Sequence, residues 1–186
     1  MGIERGRDLS KRSLSPRPLV QSERPEERRR AASAEGAPAL SFRRAAAADI
    51  GALVELRIEF MRIVKDSGLA DEGGWRAGLA ALFGRELSSE ALLVWVAEAE
   101  GRIVGTSGLR LPRRGQVPVG GEILNMFTVP VLRRRGVGSE LLRLAIAEAR
   151  ARGLPRLRLQ PTDDGRPLYE RAGFRDEGRG MVLDLD

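Results

Sequence analysis

A strand that leads through an arginine-rich turn into a long helix is the feature that most constrains the fold of this chain. Residues 122–129 predict the strand, and Pro130 ends it because proline donates no hydrogen bond to a sheet. Residues 137–152 have helical spacing and are followed by Gly153, a common helix end. Residues 157–160 predict a second strand. The resulting strand-helix-strand crossover places the chain among the mixed α/β folds.

The remaining sequence predicts a mostly antiparallel sheet with helices on both faces. Residues 92–98 and 103–111 are rich in β-branched and apolar residues, and the turn between them contains Gly101. We therefore expect them to pair as a hairpin. Shorter predicted elements are a strand at 40–43, a helix at 165–172 and a closing strand at 181–185.

Two helices are predicted between the first strand and the hairpin. Asp49 is placed to N-cap the first helix, and the second follows Asp71. The apolar stripe of the second helix could serve a cofactor, but core packing is the commoner meaning of such a stripe. The stripes are Ile50, Leu53, Val54, Ile58, Met61 and Val64 in the first helix, and Trp75, Leu79, Leu82, Phe83 and Leu87 in the second.

Residues 1–38 differ from the rest of the chain and predict a disordered tail ahead of a folded domain at 39–186. The tail holds 9 basic and 6 acidic residues, four prolines and few aliphatic residues. Such a segment buries too little apolar surface to offset its ordering entropy. A tether to nucleic acid is the alternative, but no aromatic residue is interleaved with the tail arginines to stack on bases. We therefore do not expect nucleic-acid binding.

Cysteine and histidine are both absent, which excludes several classes of enzyme. The chain can form no disulfide, cysteine nucleophile, Ser-His-Asp triad or His/Cys metal cluster. We expect no metal, and acid-base chemistry must use Asp, Glu, Tyr, Lys or water. The longest uncharged apolar run, residues 91–97, is too short to cross a bilayer. We expect a cytoplasmic protein that makes no membrane contact.

The turn before the long helix predicts an anion-binding site. Gly136 and Gly138 allow the backbone to direct its N–H groups inward, and the helix N-terminus adds partial positive charge. Arg133, Arg134 and Arg135 can add charge-assisted contacts to phosphate oxygens, although such runs often mark solvated surface. No Gly-Lys-Ser/Thr follows, and the third glycine of a dinucleotide-binding fingerprint is missing. The turn is therefore neither a Walker phosphate loop nor a dinucleotide-binding fingerprint.

At this point the sequence resembles the GNAT superfamily of N-acetyltransferases. That family carries Arg/Gln-x-x-Gly-x-Gly/Ala at a strand-to-helix turn, which Arg133, Gly136 and Gly138 match. A second match is the run from Leu168 to Phe174, Leu-Tyr-Glu-Arg-Ala-Gly-Phe, which is similar to the family's Leu-Tyr-Glu-Lys-x-Gly-Phe. The resemblance covers about residues 40–185 and implies a GNAT-type sheet with a splayed parallel strand pair.

The resemblance implies that acetyl-CoA binds as co-substrate in the wedge between the two splayed strands. The pyrophosphate is expected on the backbone N–H groups of the turn and first helical residues, with arginines at the rim. The pantetheine is expected to pair with exposed strand backbone, as an added strand would. The implied CoA-binding residues are Phe127, Thr128, Val129, Arg133, Arg134, Arg135, Gly136, Val137, Gly138 and Ser139.

The resemblance also suggests catalytic and acceptor-binding residues. Tyr169 stands where the family carries a tyrosine that protonates the leaving thiolate, although it can instead be a packing residue. Glu122 is a candidate base acting through water, and ordered water without a unique base is the alternative. Glu59 and Asn125 are candidates for the acceptor pocket. A surface carboxylate and a structural hydrogen bond, respectively, are the alternatives for these two.

The implied activity is direct transfer of an acetyl group from acetyl-CoA to a primary amine of a small molecule or peptide. A non-catalytic acyl-CoA-binding regulatory module of the same fold is the alternative. Acceptor identity and a possible homodimer stay open. Two departures from the family pattern stand out. Arg134 occupies a place where glycine is common, and Asp163 and Asp164 occupy the place where family members often have an asparagine that contacts CoA. Two carboxylates near a polyanion such as CoA are unfavourable. We expect the two aspartates to turn outward or to N-cap the helix that follows.

Overall fold

The computed structural model describes residues 38–65, 74–112 and 119–185. The strands are β1 (Leu40–Arg44), β2 (Leu92–Ala99), β3 (Arg102–Arg110), β4 (Gly121–Thr128), β5 (Arg156–Leu159), β6 (Arg175–Glu177) and β7 (Gly180–Asp184). The α-helices are α1 (Ile50–Lys65), α2 (Trp75–Ser88), α3 (Val137–Ala151) and α4 (Arg166–Arg171). Two single 3-10 turns, Ala47–Asp49 and Pro130–Leu132, precede α1 and follow β4.

The strands of the described residues form one seven-stranded sheet in the order β1-β2-β3-β4-β5-β7-β6. Neighbouring strands are antiparallel except for β4 and β5, which are parallel because the connection through α3 returns the chain in the same direction. The predicted mixed, mostly antiparallel sheet is therefore confirmed. None of the helices in the described ranges is long and apolar enough to span a bilayer.

The sheet has a separate apolar core on each face. On one face α3 packs through Val137, Leu141 and Ala145 against alternate residues of the central strands. On the other face α1 and α2 pack through Leu53 and Phe83 against the intervening residues. Successive residues of a strand point to opposite faces of the sheet. A strand that is buried on both faces, such as β2, therefore has a continuous run of apolar residues.

Three details of the predicted elements are wrong. Asp49 does not N-cap α1; it ends a 3-10 turn, and its carboxylate accepts the Ala46 N–H at 2.7 Å. Trp75 and Leu82 do not join the core, since each is 37% exposed on α2. The region between the predicted helix at 165–172 and the closing strand at 181–185 contains β6, for which the sequence predicted no strand. The helix start at Asp71 and residues 1–37 of the tail predicted at 1–38 lie outside the described residues.

Candidate active site

The site begins where β4 and β5 separate. The two strands pair only at Gly121 with Leu157 and at Glu122 with Arg158. Beyond those residues β4 continues to Thr128 without β5 beside it. A parallel pair that stops after two residues leaves one side of the longer strand unpaired. A cleft therefore opens beside the second half of β4.

A β-bulge in β4 accompanies this separation. Thr106 pairs with Phe127 and Gly108 pairs with Leu124, so Ser107 alone stands opposite two residues of β4. One of the two, Asn125, has φ 52°, in the left-handed region that asparagine tolerates better than most residues. A bulge locally bends a strand and increases its twist. We attribute the divergence of β4 from β5 to this bend.

Strand alternation decides which backbone groups of β4 face the cleft. The Val129 N–H donates to the Val104 carbonyl at 3.0 Å, so Val129 and Phe127 direct their polar groups toward β3. Thr128, between them, directs its N–H and carbonyl to the other side. Its carbonyl accepts from Arg133 Nε at 3.2 Å. Of the three residues predicted to pair with pantetheine, Thr128 is the one whose backbone N–H faces the cleft.

The N-terminus of α3 lies on the same cleft. Gly136 is its N-cap with φ 82°, a conformation that favours glycine, and no side chain caps the helix. The first helical bond runs from the Glu140 N–H to the Gly136 carbonyl at 3.0 Å. Among the described residues, the N–H groups of Val137, Gly138 and Ser139 therefore have no acceptor. Uncapped N–H groups at a helix N-terminus form a ready anion site.

These elements surround a cleft with a volume of about 850 Å³. Its walls come from α1, β4, the turn before α3, the start of α3, and the segment from β5 into α4. They are Phe60, Ile63, Met126, Phe127, Thr128, Leu132, Arg133, Arg134, Gly136, Gly138, Ser139, Pro161, Thr162, Asp163, Asp164, Gly165, Pro167, Leu168, Tyr169 and Arg171. The size is ample for an extended cofactor with a polar and an apolar end.

The three arginines of the turn differ from one another. Arg133 bonds the Thr128 carbonyl and places its guanidinium 5.9 Å from the centre of the Phe127 ring. Arg134 lines the cleft with φ 63°, which explains why a glycine suits this position. Arg135 is exposed and is not among the described residues that line the cleft. The structure therefore brings two of the three to the cleft.

Tyr169 lines the cleft from α4. Its side chain is 7% exposed, and its ring packs edge to face on Phe174 with centroids 5.9 Å apart. Burial raises the pKa of the phenol to about 12, so the hydroxyl stays protonated at neutral pH. No described residue hydrogen-bonds that hydroxyl, which leaves its proton available to a bound molecule.

The other predicted site residues lie away from the cleft walls. Glu122 is at the start of β4, where its carboxylate accepts from Arg110 at 3.0 Å. Glu59 is half-buried on α1, beside Phe60. Asn125 lines a small separate cavity behind Phe127. The structure thus joins Tyr169 with most of the predicted CoA-binding residues, but it does not bring Glu122, Glu59 or Asn125 to the same wall.

The aspartates before α4 both line the cleft and are exposed. Neither caps the helix. The N-cap is Gly165, and no side chain caps the helix. Thr162 closes the turn before it, because its Oγ1 accepts the Gly165 N–H at 3.2 Å. The sequence analysis did not single out Thr162, which lines the cleft in this turn. It also did not single out Phe60, which lies outside the predicted apolar stripe of this helix and lines the cleft.

Comparison with known proteins identifies the class of fold. A profile of the acetyltransferase (GNAT) family matches residues 53–174. An uncharacterized N-acetyltransferase of Escherichia coli K12, YjgM, is 34% identical over 83 residues, 43% of this chain and 49% of that protein. Glucosamine 6-phosphate N-acetyltransferase of Trypanosoma brucei brucei is 34% identical over 95 residues, 50% of this chain and 64% of that protein. The matched regions thus span less than two thirds of these relatives.

Solved structures match over nearly their whole length. A predicted acetyltransferase of Clostridium acetobutylicum, crystallised with acetyl-CoA, has a TM-score of 0.66 and 26% identity, covering 80% of this chain and 96% of its own. A GCN5-related N-acetyltransferase of Ralstonia eutropha JMP134 has a TM-score of 0.64 and 26% identity. The match covers 75% of this chain and 95% of that protein. The similarity therefore covers three quarters or more of this chain.

Proposed function

This chain belongs to the acetyltransferase (GNAT) family, and we propose that it transfers an acetyl group from acetyl-CoA directly to a primary amine. One observation carries the proposal: the Thr128 N–H, the uncapped N-terminus of α3 and Tyr169 all belong to one cleft. These are a hydrogen-bond donor for a carbonyl, a site for phosphate and a proton donor. An acyl transfer from a phosphorylated thioester needs all three.

The N-terminus of α3 holds the diphosphate of CoA. Its free N–H groups and partial positive charge favour an anion, and Arg133 and Arg134 add charge at the rim. Gly138 keeps the approach open, because a Cβ there would lie 3.3 Å from Leu168 Cδ2 and would narrow the cleft. Glu140, in the first turn of α3, is paired with Arg143 at 2.6 Å, so its charge is compensated.

The unpaired side of β4 holds the pantetheine and the thioester. The pantetheine amides pair with β4 as an added strand would, beside Thr128. The Thr128 N–H donates to the thioester oxygen, which becomes negative as the amine attacks. Phe127, buried at the back of the cleft, helps to exclude water from the reacting atoms.

The chemistry is a single displacement. The neutral amine nitrogen attacks the carbonyl carbon, the carbon–sulfur bond breaks, and the nitrogen loses its extra proton to water. Tyr169 donates its hydroxyl proton to the leaving sulfur and recovers a proton from solvent. The chain has no cysteine or histidine to carry an acetyl group between steps, which favours direct transfer.

An amine-dependent release of CoA tests the proposal. The full chain is incubated with acetyl-CoA and a broad panel of primary amines, and free thiol and acetylated amine are both measured. We expect at least one amine to release thiol and to gain the acetyl group in equal amount. Acetyl-CoA binding with no acetylated product from any amine would favour a regulatory acyl-CoA-binding module instead.

A further inference from the structure

A second, much smaller cavity lies directly behind the cleft, between α1 and the bulged part of the sheet. Its volume is about 10 Å³, room for one oxygen atom or water molecule. The lining combines apolar side chains with three polar ones. The residues are Leu53, Arg57, Phe60, Phe83, Thr106, Asn125 and Phe127. Phe60 and Phe127 also line the cleft, so the two cavities share a wall.

Arg57 brings an uncompensated charge to this cavity. It is half-buried on α1, and no carboxylate of the described residues pairs with it. Its guanidinium lies 5.3 Å from the centre of the Phe60 ring. Burial lowers the pKa of Arg57 below its ordinary value, and no neighbouring charge offsets that effect. A half-buried guanidinium without an anion is costly, which points to an anion supplied from outside.

Thr106 adds an unsatisfied donor at the same place. It is 4% exposed in the middle of β3, and its Oγ1 has no hydrogen-bond partner. Buried hydroxyl groups almost always have a partner, so an orphan that lines a cavity indicates a missing acceptor or donor. The bulge of β4 brings Asn125 to the same cavity, where its amide can provide two more donors.

The position of the cavity indicates that it contacts the acceptor rather than CoA. The wall shared with the cleft is an aromatic pair, in which Phe60 and Phe127 meet edge to face with centroids 6.0 Å apart. Phe127 immediately precedes Thr128, the residue proposed to hold the thioester oxygen. CoA enters the cleft from the other side, at the N-terminus of α3. A molecule that reaches Arg57 past the aromatic pair therefore approaches the acetyl group from the acceptor side.

We propose that Arg57, Thr106 and Asn125 bind a carboxylate of the acceptor, so that the enzyme acetylates primary amines that also carry a carboxylate. This rests on the acetyl transfer proposed above. One carboxylate oxygen enters the small cavity and meets the Thr106 hydroxyl, and both oxygens accept from the planar fork of Arg57. A phosphate fits less well, because the cavity is small and Arg57 is its single cation among the described residues. A lone water would satisfy Thr106 but leave the charge of Arg57 uncompensated.

Matched acceptors test the proposal directly. Acetyl-CoA is first titrated into the full chain to establish that it binds. Thiol release is then measured with the standard amino acids, β-alanine and γ-aminobutyrate, each beside its carboxamide, and with phosphoethanolamine. We expect the best carboxylate-bearing acceptor to exceed its carboxamide in kcat/KM by about 10- to 100-fold, the usual effect of a hydrogen bond to a charged group.

Two variants with matched controls connect that preference to the cavity. Arg57→Gln should remove most of the preference for the carboxylate, mainly by raising KM, whereas Arg62→Gln, an exposed arginine on the same helix, should retain it. Thr106→Val should raise KM for the carboxylate acceptor and leave the thermal midpoint unchanged or higher, because it removes an unsatisfied hydroxyl. Ser107→Ala removes the neighbouring orphan hydroxyl on the other face of β3 and should leave KM unchanged.

The outcomes separate this inference from the proposed function. Failure of acetyl-CoA to bind would remove both. The inference would be overturned if carboxamides or phosphoethanolamine were acetylated as fast as the carboxylate-bearing amines. It would also be overturned if other amines were acetylated and no carboxylate-bearing amine was. Either result would leave acetyl transfer intact. A carboxylate preference that survives in Arg57→Gln, with the fold confirmed by circular dichroism, would also overturn it.

Discussion

At Glu122, near its start, β4 pairs with a strand on each side, whereas at its last residues it pairs with a strand on one side only. At the paired end, side chains of the described residues satisfy one another: Arg110 holds Glu122 at 3.0 Å, and Arg156 holds Asp184 at 3.0 Å. At the splayed end, Thr128 and the start of α3 keep backbone N–H groups without acceptors. The same strand thus serves stability at one end and leaves its polar groups for a ligand at the other.

The unpaired backbone at the splayed end of β4 points to a ligand, whereas the paired end contributes to stability. Unpaired backbone in a buried sheet is costly, so a native protein tolerates it where a ligand completes the pairing. The bulge at Asn125 marks the boundary between the two ends. Substitutions on either side of it should therefore affect different properties, which the following predictions use.

The largest effect is expected at the splayed end. Tyr169→Phe should lower kcat by about 10²- to 10⁴-fold, the range typical of a lost general acid, and should leave the affinity for acetyl-CoA unchanged. Because the phenol pKa is raised to about 12, the wild-type rate should not fall from loss of this proton until the pH approaches 12. Steady-state kinetics and calorimetric titration check both parts. An unchanged kcat would remove Tyr169 from the mechanism.

The paired end should respond in stability instead. Leu157 is fully buried beside Gly121, so Leu157→Ala should reduce the free energy of unfolding by about 2–5 kcal/mol through lost burial and a cavity. Urea denaturation followed by circular dichroism measures the loss. In the folded fraction, acetyl-CoA should bind with wild-type affinity. A large loss of affinity would show that the two ends are not separable.

A substitution at Gly138 tests the contribution of the cleft to acetyl-CoA binding without altering a core residue. Gly138→Val places a branched side chain beside Leu168 in the path proposed for the diphosphate, and it should weaken acetyl-CoA binding by at least about 10-fold, or 1.4 kcal/mol. Gly78→Val is the matched control, since a Cβ at this helical glycine of α2 meets nothing within 4 Å. Equal affinity in the two variants would argue against an anion site at α3.

At the bulge that separates the two ends of β4, the stability of the protein should depend on backbone strain at Asn125. Asn125→Val puts a β-branched residue at φ 52° and should destabilise the protein by about 1–2 kcal/mol, whereas Asn125→Gly should not. Both variants remove the amide, so their difference isolates the backbone. Equal stability of the two by urea denaturation would contradict a strained bulge.

The smallest effect is expected at Arg134, which has the same kind of strain in the turn. Arg134→Gly should stabilise the fold by about 0.5–1 kcal/mol, because the relief of a left-handed non-glycine residue exceeds the extra entropy of glycine in the unfolded chain. A shift of the urea midpoint to higher concentration checks this. A shift to lower concentration would mean that Arg134 makes a stabilising contact.

Much of the fold could be predicted because its signals are local. The strand before Pro130, the glycines of the turn and Gly153 fix β4, the turn and α3 by their own conformational preferences. Helical spacing could not tell that Trp75 and Leu82 face solvent, since that depends on how far α2 covers the sheet. The mixed sheet with one parallel pair followed from the crossover and was confirmed.

The candidate site was predictable only where it lies within one segment. The residues from Arg133 to Ser139 are consecutive, and Tyr169 belongs to a short motif. The bulge is not local, because it arises from the register between β3 and β4. Arg57 reads as an ordinary polar residue of an amphipathic helix, and its burial emerges only when α1 packs over Thr106 and Phe127. Sites assembled across elements escape such motif-based reasoning.

The central claim, that the splayed end of β4 and the N-terminus of α3 form a CoA site, is tested most directly by isothermal titration of the full chain. Acetyl-CoA, CoA and ATP are titrated separately. Binding of acetyl-CoA and CoA with Kd of about 1–100 μM, and of ATP at least about 10-fold more weakly, is predicted because ATP lacks the arm that pairs with β4. No heat from acetyl-CoA, or equal affinity for ATP, would contradict the account.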